Sequence, residues 1–262
     1  MKKFIGQAVL KMDKKNGVLF IFEGERKEPN FFHNIKKIYP EYIDYKFLCV
    51  CGNIYMLYND ISKDEDLDIV ELIKSYHIPK NKKIFEEIER ENIKISEIYM
   101  FFDFDGHDSK YNSEKLLKML KLFDNETELG KLYISYPMIE AYTHLKSFDD
   151  EEFKNRICLI EDCGTYKKVC SDESCIKDPR KIKKEELKII FAHNMKKMNY
   201  IVNNEYSELG YKEANKITQN NIFEKQVEKY IEVYKCIAVL SAIPLFFLNY
   251  FSEDVYNTIL KN

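Results

Sequence analysis

Short apolar runs alternate with amphipathic segments through the first 150 residues of this 262-residue chain, and this alternation is the feature that most constrains the fold. Strands that are separated by helices pair in parallel, because each helix returns the chain to the end of the sheet from which it left. The pattern therefore predicts an α/β fold with an open parallel sheet flanked by helices. The predicted strands are 17–24, 44–53, 96–106 and 131–137, and the predicted helices are 28–42, 112–125 and one opening at Pro137, with a mostly helical stretch up to about residue 90.

The pattern changes between residues 148 and 155, beyond which charged helical segments predominate and no strand is predicted. This change predicts a catalytic domain over 1–150 and a helical region over 151–262. The most apolar segment, 236–251, contains Pro244 and is shorter than the roughly 20 apolar residues that a membrane helix needs. We therefore expect a buried helix that breaks or restarts at the proline, and no association with a membrane.

Charge and cysteine content limit the partners and the compartment. The 41 basic and 44 acidic residues give a net charge of −3, so any binding to nucleic acid must come from a local basic patch. Seven cysteines, an odd number, without a recognisable secretion signal are typical of free thiols in a reducing compartment. The composition thus predicts a cytoplasmic protein.

Carboxylates follow three of the four predicted strands. Glu23 ends the first, Asp103 and Asp105 end the third, and Glu140 comes soon after the fourth. In parallel sheets ligands bind beyond the carboxyl ends of the strands, which lie about 4.8 Å apart, so these acids can share one ion. Since an unpaired buried charge costs several kcal/mol, a cation is expected beside them. Hard oxygen ligands favour Mg²⁺ or Mn²⁺.

The same residues carry a family resemblance. "VLFIFEGERKEPNFF" (18–32) and "IYMFFDFDGHD" (98–108) resemble the TOPRIM domain of topoisomerases, primases and OLD-type nucleases, which has a Glu after its first strand and an Asp-x-Asp after its third. "EGERKEPNFF" resembles the RloB-like abortive-infection proteins more specifically, and "YPMIEAYTHL" and "TYKKV" fit that group loosely. Phe104 departs from the family, where a polar or basic residue is frequent between the aspartates.

The resemblance implies a TOPRIM-like Rossmannoid domain that acts as a Mg²⁺-dependent endonuclease on tRNA or DNA, as the effector of a bacterial anti-phage system. It also implies an ATPase sensor encoded separately, since the chain contains no P-loop sequence. Self-association stays open. The implied metal ligands are Asp103, Asp105, Glu23 and Glu140, and the implied catalytic residues are Glu23, Glu28 and Lys168 (or its neighbour Lys167).

Two other functions stay open at this point. The same metal site would serve a nucleotidyl-transfer or RNA-processing enzyme. Alternatively, the acids only cap and solvate the strand ends of a non-catalytic module that binds a partner.

Two further groups of residues allow a functional or a structural interpretation. In the basic stretch 177–197, Arg180, Lys184 and Lys188 would share one face of a helix, which would either follow a nucleic-acid backbone or simply be solvated. Four cysteines are separated by four, six and four residues, wider than most structural zinc sites, so free thiols are favoured over zinc. These cysteines are Cys158, Cys163, Cys170 and Cys175.

Overall fold

The computed structural model describes residues 15–41, 47–51, 54–63, 68–104, 106 and 111–260. Asp105, one of the predicted metal ligands, lies outside the described residues. The other predicted site residues are all described.

A five-stranded sheet with the order β2-β1-β3-β5-β4 forms the centre of the molecule. The first four strands in this order pair in parallel, and only the two-residue edge strand is antiparallel. The α/β fold with a mostly parallel sheet is therefore confirmed. The strands are β1 (Lys15–Phe22), β2 (Phe47–Val50), β3 (Ile93–Asp103), β4 (Asp124–Asn125) and β5 (Gly130–Ser135).

The strand order reverses between β1 and β3, because β2 lies on one side of β1 and all later strands lie on the other. Such a reversal opens a crevice at the carboxyl ends of the two central strands. The helices of this half are α1 (Lys27–Ile38), α2 (Ile54–Ile61), α3 (Ile69–Ser75), α4 (Pro79–Arg90) and α5 (Ser113–Leu122).

The helix predicted to open at Pro137 is only a short 3-10 helix, Ile139–Thr143. Residues in it favour local contacts over a continuing helix: the Thr143 hydroxyl donates a hydrogen bond to the carbonyl of Glu140. Further 3-10 turns span Glu151–Asn155, Ile160–Thr165 and Pro179–Lys181.

The C-terminal region is mostly helical, but the prediction that it lacks strands is wrong. Two strands, β6 (Ile157–Leu159) and β7 (Cys236–Ala238), pair antiparallel. Three residues are too few to show a strand periodicity, and β7 lies within the apolar segment that was expected to be helical. The helices are α6 (Tyr166–Glu173), α7 (Lys184–Asn203), α8 (Tyr211–Ala214), α9 (Gln219–Gln226), α10 (Glu232–Tyr234), α11 (Ile243–Tyr250) and α12 (Glu253–Leu260), with a π-helical stretch, Val227–Ile231, between α9 and α10.

Aromatic rings join the C-terminal region to the sheet. Pro244 lies in the first turn of α11, which places Phe246 on the sheet face formed by Phe20 and Phe101, with ring centroids 5.3 and 5.1 Å away. Phe32 of α1 covers the same two rings at 4.9 and 4.8 Å. One core therefore extends through both halves of the chain. Among the described helices, none is both long and apolar enough to span a membrane.

Candidate active site at the carboxyl ends of the strands

Glu23 and Asp103 lie side by side at the reversal of strand order. The backbone N–H of Glu23 donates to the carbonyl of Phe101 at 3.2 Å, which extends the β1–β3 pairing by one residue. The Glu23 carboxylate in turn accepts a hydrogen bond from the backbone N–H of Asp103 at 3.0 Å. The register of the two central strands thus brings together two acids that are 80 positions apart in the sequence.

Backbone contacts hold the loop after β5 against Asp103. The Asp103 carboxylate accepts a hydrogen bond from the N–H of Ile139 at 2.8 Å. The N–H of Phe104 is shared between the carbonyls of Ser135 and Pro137, at 3.0 and 2.9 Å. Glu140 is therefore carried to the same edge of the sheet as Glu23 and Asp103.

Phe104 is a core residue, with a side chain that is 1% exposed. Its ring packs between those of Tyr111, Tyr136 and Phe223, at centroid distances of 5.1, 5.5 and 6.2 Å. Phe104 therefore anchors the end of β3 in the core, which explains why an apolar residue stands at this position of the motif.

Glu28 lies in the first turn of α1 and is 5% exposed. Burial raises the pKa of its carboxyl group above the ordinary value. Gly24 leaves the necessary room, because a Cβ at that position would lie 3.0 Å from Oε2 of Glu28. The Glu-Gly pair after β1 therefore allows a second acid to pack close to the strand end.

Two lysines from different helices complete this group. Lys27 forms an ion pair with Glu140. Burial and the neighbouring Lys167 ammonium lower the pKa of Lys27 to about 8, an effect that Asp103 and Glu28 oppose. The lysine of α6 that lies beside Lys27 is thus Lys167; both Lys167 and the next residue, Lys168, are exposed.

Sequence reasoning missed Lys27 because it stands in the charged run "GERKE", where a solvated lysine is the default. Its position offered one signal, since the helix that follows a strand-end acid begins beside that acid. In the structure Lys27 is the first residue of α1.

The described acids do not form a closed cage for a metal: no group of three or more His, Cys, Asp or Glu among the described residues is arranged to hold an ion. Mg²⁺ does not need such a cage, because it keeps several waters and binds through one or two carboxylates. Glu23 and Asp103 supply such a pair. Each uses a carboxylate oxygen to accept a backbone N–H, which fixes its orientation. The donor set therefore fits Mg²⁺ or Mn²⁺.

The three predicted nucleic-acid-binding residues do not share a helical face, because α7 begins at Lys184 and Arg180 lies in the 3-10 turn before it. Arg180 instead lines a cleft of about 430 Å³ beside Lys27 and Glu140. Lys184 lies over the ring of Tyr39, with Nζ 5.5 Å from the centroid. Lys188 pairs with Glu185 at 3.4 Å.

The four cysteines of the zinc alternative do not gather at one point. Cys158 and Cys163 are neighbours, with their sulfur atoms 4.0 Å apart. Cys170 instead donates to the carbonyl of Glu140 at 3.3 Å, and Cys175 is half-buried elsewhere. All four are free thiols, and the contact of Cys170 holds α6, with Lys167, against the loop after β5.

Comparisons of the chain with protein-family models, with curated proteins and with solved structures found no match.

Proposed function

We propose that this protein is a Mg²⁺- or Mn²⁺-dependent endonuclease with a TOPRIM-like catalytic domain, which hydrolyses phosphodiester bonds in tRNA or DNA. The observation that carries the proposal is the pairing of Glu23 and Asp103 at the reversal of strand order, with Lys27 and Lys167 beside them. Acids that hold a hard cation and lysines that bind a phosphate are the two requirements of metal-assisted phosphoryl transfer.

Each residue of this group has a role that its surroundings support. A divalent ion held by Glu23 and Asp103, with Glu140 and Asp105 as the further candidates, would polarise the phosphate and lower the pKa of a bound water. Lys27 and Lys167 neutralise negative charge on the phosphate oxygens. Two further roles were proposed on the resemblance alone: Glu28 at a second metal site, and Lys168 on the phosphate.

The burial of Glu28 also favours a role for this residue as a general acid. Catalytic acids and bases work best when their pKa lies near the working pH, and burial raises the pKa of Glu28 in that direction. Glu28 is therefore the carboxyl group of the cluster that we propose as the proton donor to the leaving oxygen.

The biological setting is proposed on the resemblance to RloB-like and OLD-type proteins. It comprises a cytoplasmic effector of anti-phage defence by abortive infection, activated by an ATPase sensor encoded separately. Self-association of the effector is compatible with this setting.

One observation favours a non-catalytic alternative. Glu23 and Asp103 both accept backbone N–H groups, as acids that merely cap strand ends do. A nucleotidyl-transfer or RNA-processing enzyme would use the same acids, and is distinguished by its products.

The test is cleavage of total tRNA and of plasmid DNA by the purified protein with Mg²⁺, Mn²⁺ or EDTA. Glu23→Ala is compared with the wild type and with Glu114→Ala, a control on the exposed surface of α5. We expect metal-dependent cutting that falls at least about 100-fold in Glu23→Ala only. Equal cutting in EDTA, or by Glu23→Ala, would contradict the proposal.

If the isolated protein cuts neither substrate, calorimetry of Mn²⁺ binding decides whether a partner or the metal site is missing. We expect the wild type to bind Mn²⁺ and Asp103→Ala to bind it more weakly. Identical titrations of the two proteins would favour the capping role.

A further inference from the structure

One side of α1 faces away from the core and is polar along its length. Its inner side buries Phe31, Phe32 and Ile35. The outer side presents five residues at offsets of three, four, six and seven from the first of them, which places them on one broad face of the helix. They are Asn30, His33, Asn34, Lys36 and Lys37.

Two adjoining depressions connect this row to the strand-end acids. The first is the cleft beside Lys27 and Glu140, which the 177–180 segment closes on its far side. The second is a groove of about 460 Å³ along the outer side of α1. Both are lined by Asn30 and Arg180, so the cleft and the groove form one continuous strip.

The strip is basic although the chain as a whole carries a net charge of −3. Five lysines and arginines line it against two acids, Glu140 and Asp178. Each of these acids is engaged by a cation, Glu140 by Lys27 and Asp178 by Arg180. The basic lining residues are Lys27, Lys36, Lys37, Lys177 and Arg180.

Several contacts hold the residues of the strip in place. Asp178 accepts two hydrogen bonds from the guanidinium group of Arg180, at 2.9 and 3.1 Å. The amide of Asn34 donates to the carbonyl of Ile182 at 3.4 Å, which ties α1 to the segment bearing Arg180. Lys184, over Tyr39, lies where α1 ends. Basic groups thus extend from the strand-end acids to the C-terminal end of α1.

We propose that this strip binds the sugar-phosphate backbone of the substrate, which runs from the strand-end acids past Arg180 to Lys36 and Lys37. The inference rests on the proposed function and adds the path that the substrate strand follows over the protein surface. A helix of 12 residues is about 18 Å long, which is enough to contact several successive phosphates of one strand. The contacts are to phosphates, so they position the strand without reading its sequence.

The test measures binding without catalysis. A labelled 20-nucleotide RNA strand and the DNA strand of the same sequence are titrated with the protein in EDTA, by fluorescence anisotropy at several salt concentrations. Lys36→Glu/Lys37→Glu is compared with Lys118→Glu/Lys121→Glu, which makes the same charge change on the exposed side of α5. Thermal unfolding of both variants checks that they fold.

We expect the Lys36/Lys37 variant to bind at least tenfold more weakly and the Lys118/Lys121 variant to stay within about twofold of wild type. The slope of log Kd against log salt concentration should fall by about 1 to 2 in the first variant only, as two phosphate contacts require. Equal weakening in both variants, or no binding by the wild type, would overturn the proposal. Because binding is measured without metal, its outcome is independent of cleavage: a wild type that binds here, but cuts neither substrate once Mg²⁺ or Mn²⁺ is added, would contradict the nuclease and leave the strip intact.

Discussion

The strand-end site and the interior of the C-terminal region each contain a buried charged side chain, Glu28 in the first and Lys197 in the second, but the surroundings of the two differ. In the interior, Lys197 is 0% exposed and donates to the carbonyls of Phe153, Lys154 and Arg156. Arg156 pairs with Asp150 at 2.8 Å. Lys197 and Arg156 thus both have hydrogen-bond partners within the fold.

At the strand ends, acids from β1, β3, α1 and the loop after β5 converge, and two ammonium groups are held next to each other. Groups of like charge therefore lie together beside the cleft that Lys27 and Glu140 line. Burial of charge alone therefore does not mark a functional site. Convergence of like charges beside an open cleft is the more informative sign.

The largest expected effect is the loss of stability in Lys197→Met, a substitution in the interior of the C-terminal region. It leaves three buried carbonyls without their donor, so the free energy of unfolding should fall by about 3 kcal/mol. Lys196→Met, at the half-buried neighbouring position, should cost much less. Urea denaturation measures both.

The same variants test whether the interior is purely structural. Folded Lys197→Met should keep the cleavage activity of the wild type. A large loss of activity without a loss of stability would show that Lys197 also serves the strand-end site.

At the strand ends, substitution should act on activity instead. Lys167→Met removes the ammonium that faces Lys27, so kcat/KM for cleavage should fall by roughly 10- to 100-fold, while the free energy of unfolding changes little. Lys168→Met should have the smaller effect on kcat/KM. If Lys168→Met is the more damaging substitution, the assignment from sequence is right and the geometric one is wrong.

The smallest expected effect concerns the dependence of stability on pH. His144 is buried, with Nδ1 2.7 Å from the Tyr166 hydroxyl and Nε2 3.1 Å from the Glu173 carboxylate. Burial lowers the pKa of His144 in the folded state. The unfolded chain therefore takes up the proton first on acidification, so stability is lost as the pH falls below the ordinary histidine pKa of about 6.5.

His144→Gln should flatten the decrease in stability between about pH 7 and pH 5. Denaturation midpoints at a series of pH values check this. An unchanged pH profile in the variant would mean that the interior network does not depend on the charge of His144.

Much of the fold could be predicted because the strands that form the sheet are long apolar runs bounded by turns and acids. Glu23 and Asp103 were expected to lie close together because the carboxyl ends of parallel strands lie at the same edge of a sheet. Their catalytic and metal-binding roles stay predictions, as do those of Glu28, Glu140 and Lys168.

Other features depend on tertiary contacts that no local pattern carries. The strands β6 and β7 are three residues each and form only because they pair with each other. Nothing in the charged run around Lys27 distinguishes it from its neighbours; only the packing of α1 beside the strand ends does so. Arg180 looks helical by spacing, but Asp178 accepts hydrogen bonds from both its backbone and its side chain and holds it in the turn before α7.

The position of Phe246 on the sheet has a consequence for how the protein is made. The ring that covers Phe20 and Phe101 belongs to α11, which leaves the ribosome more than 140 residues after β3. Until then the aromatic face of the sheet lacks part of its cover, and a nascent chain cannot complete its core. This face of the sheet is therefore fully covered only after α11 has been synthesised.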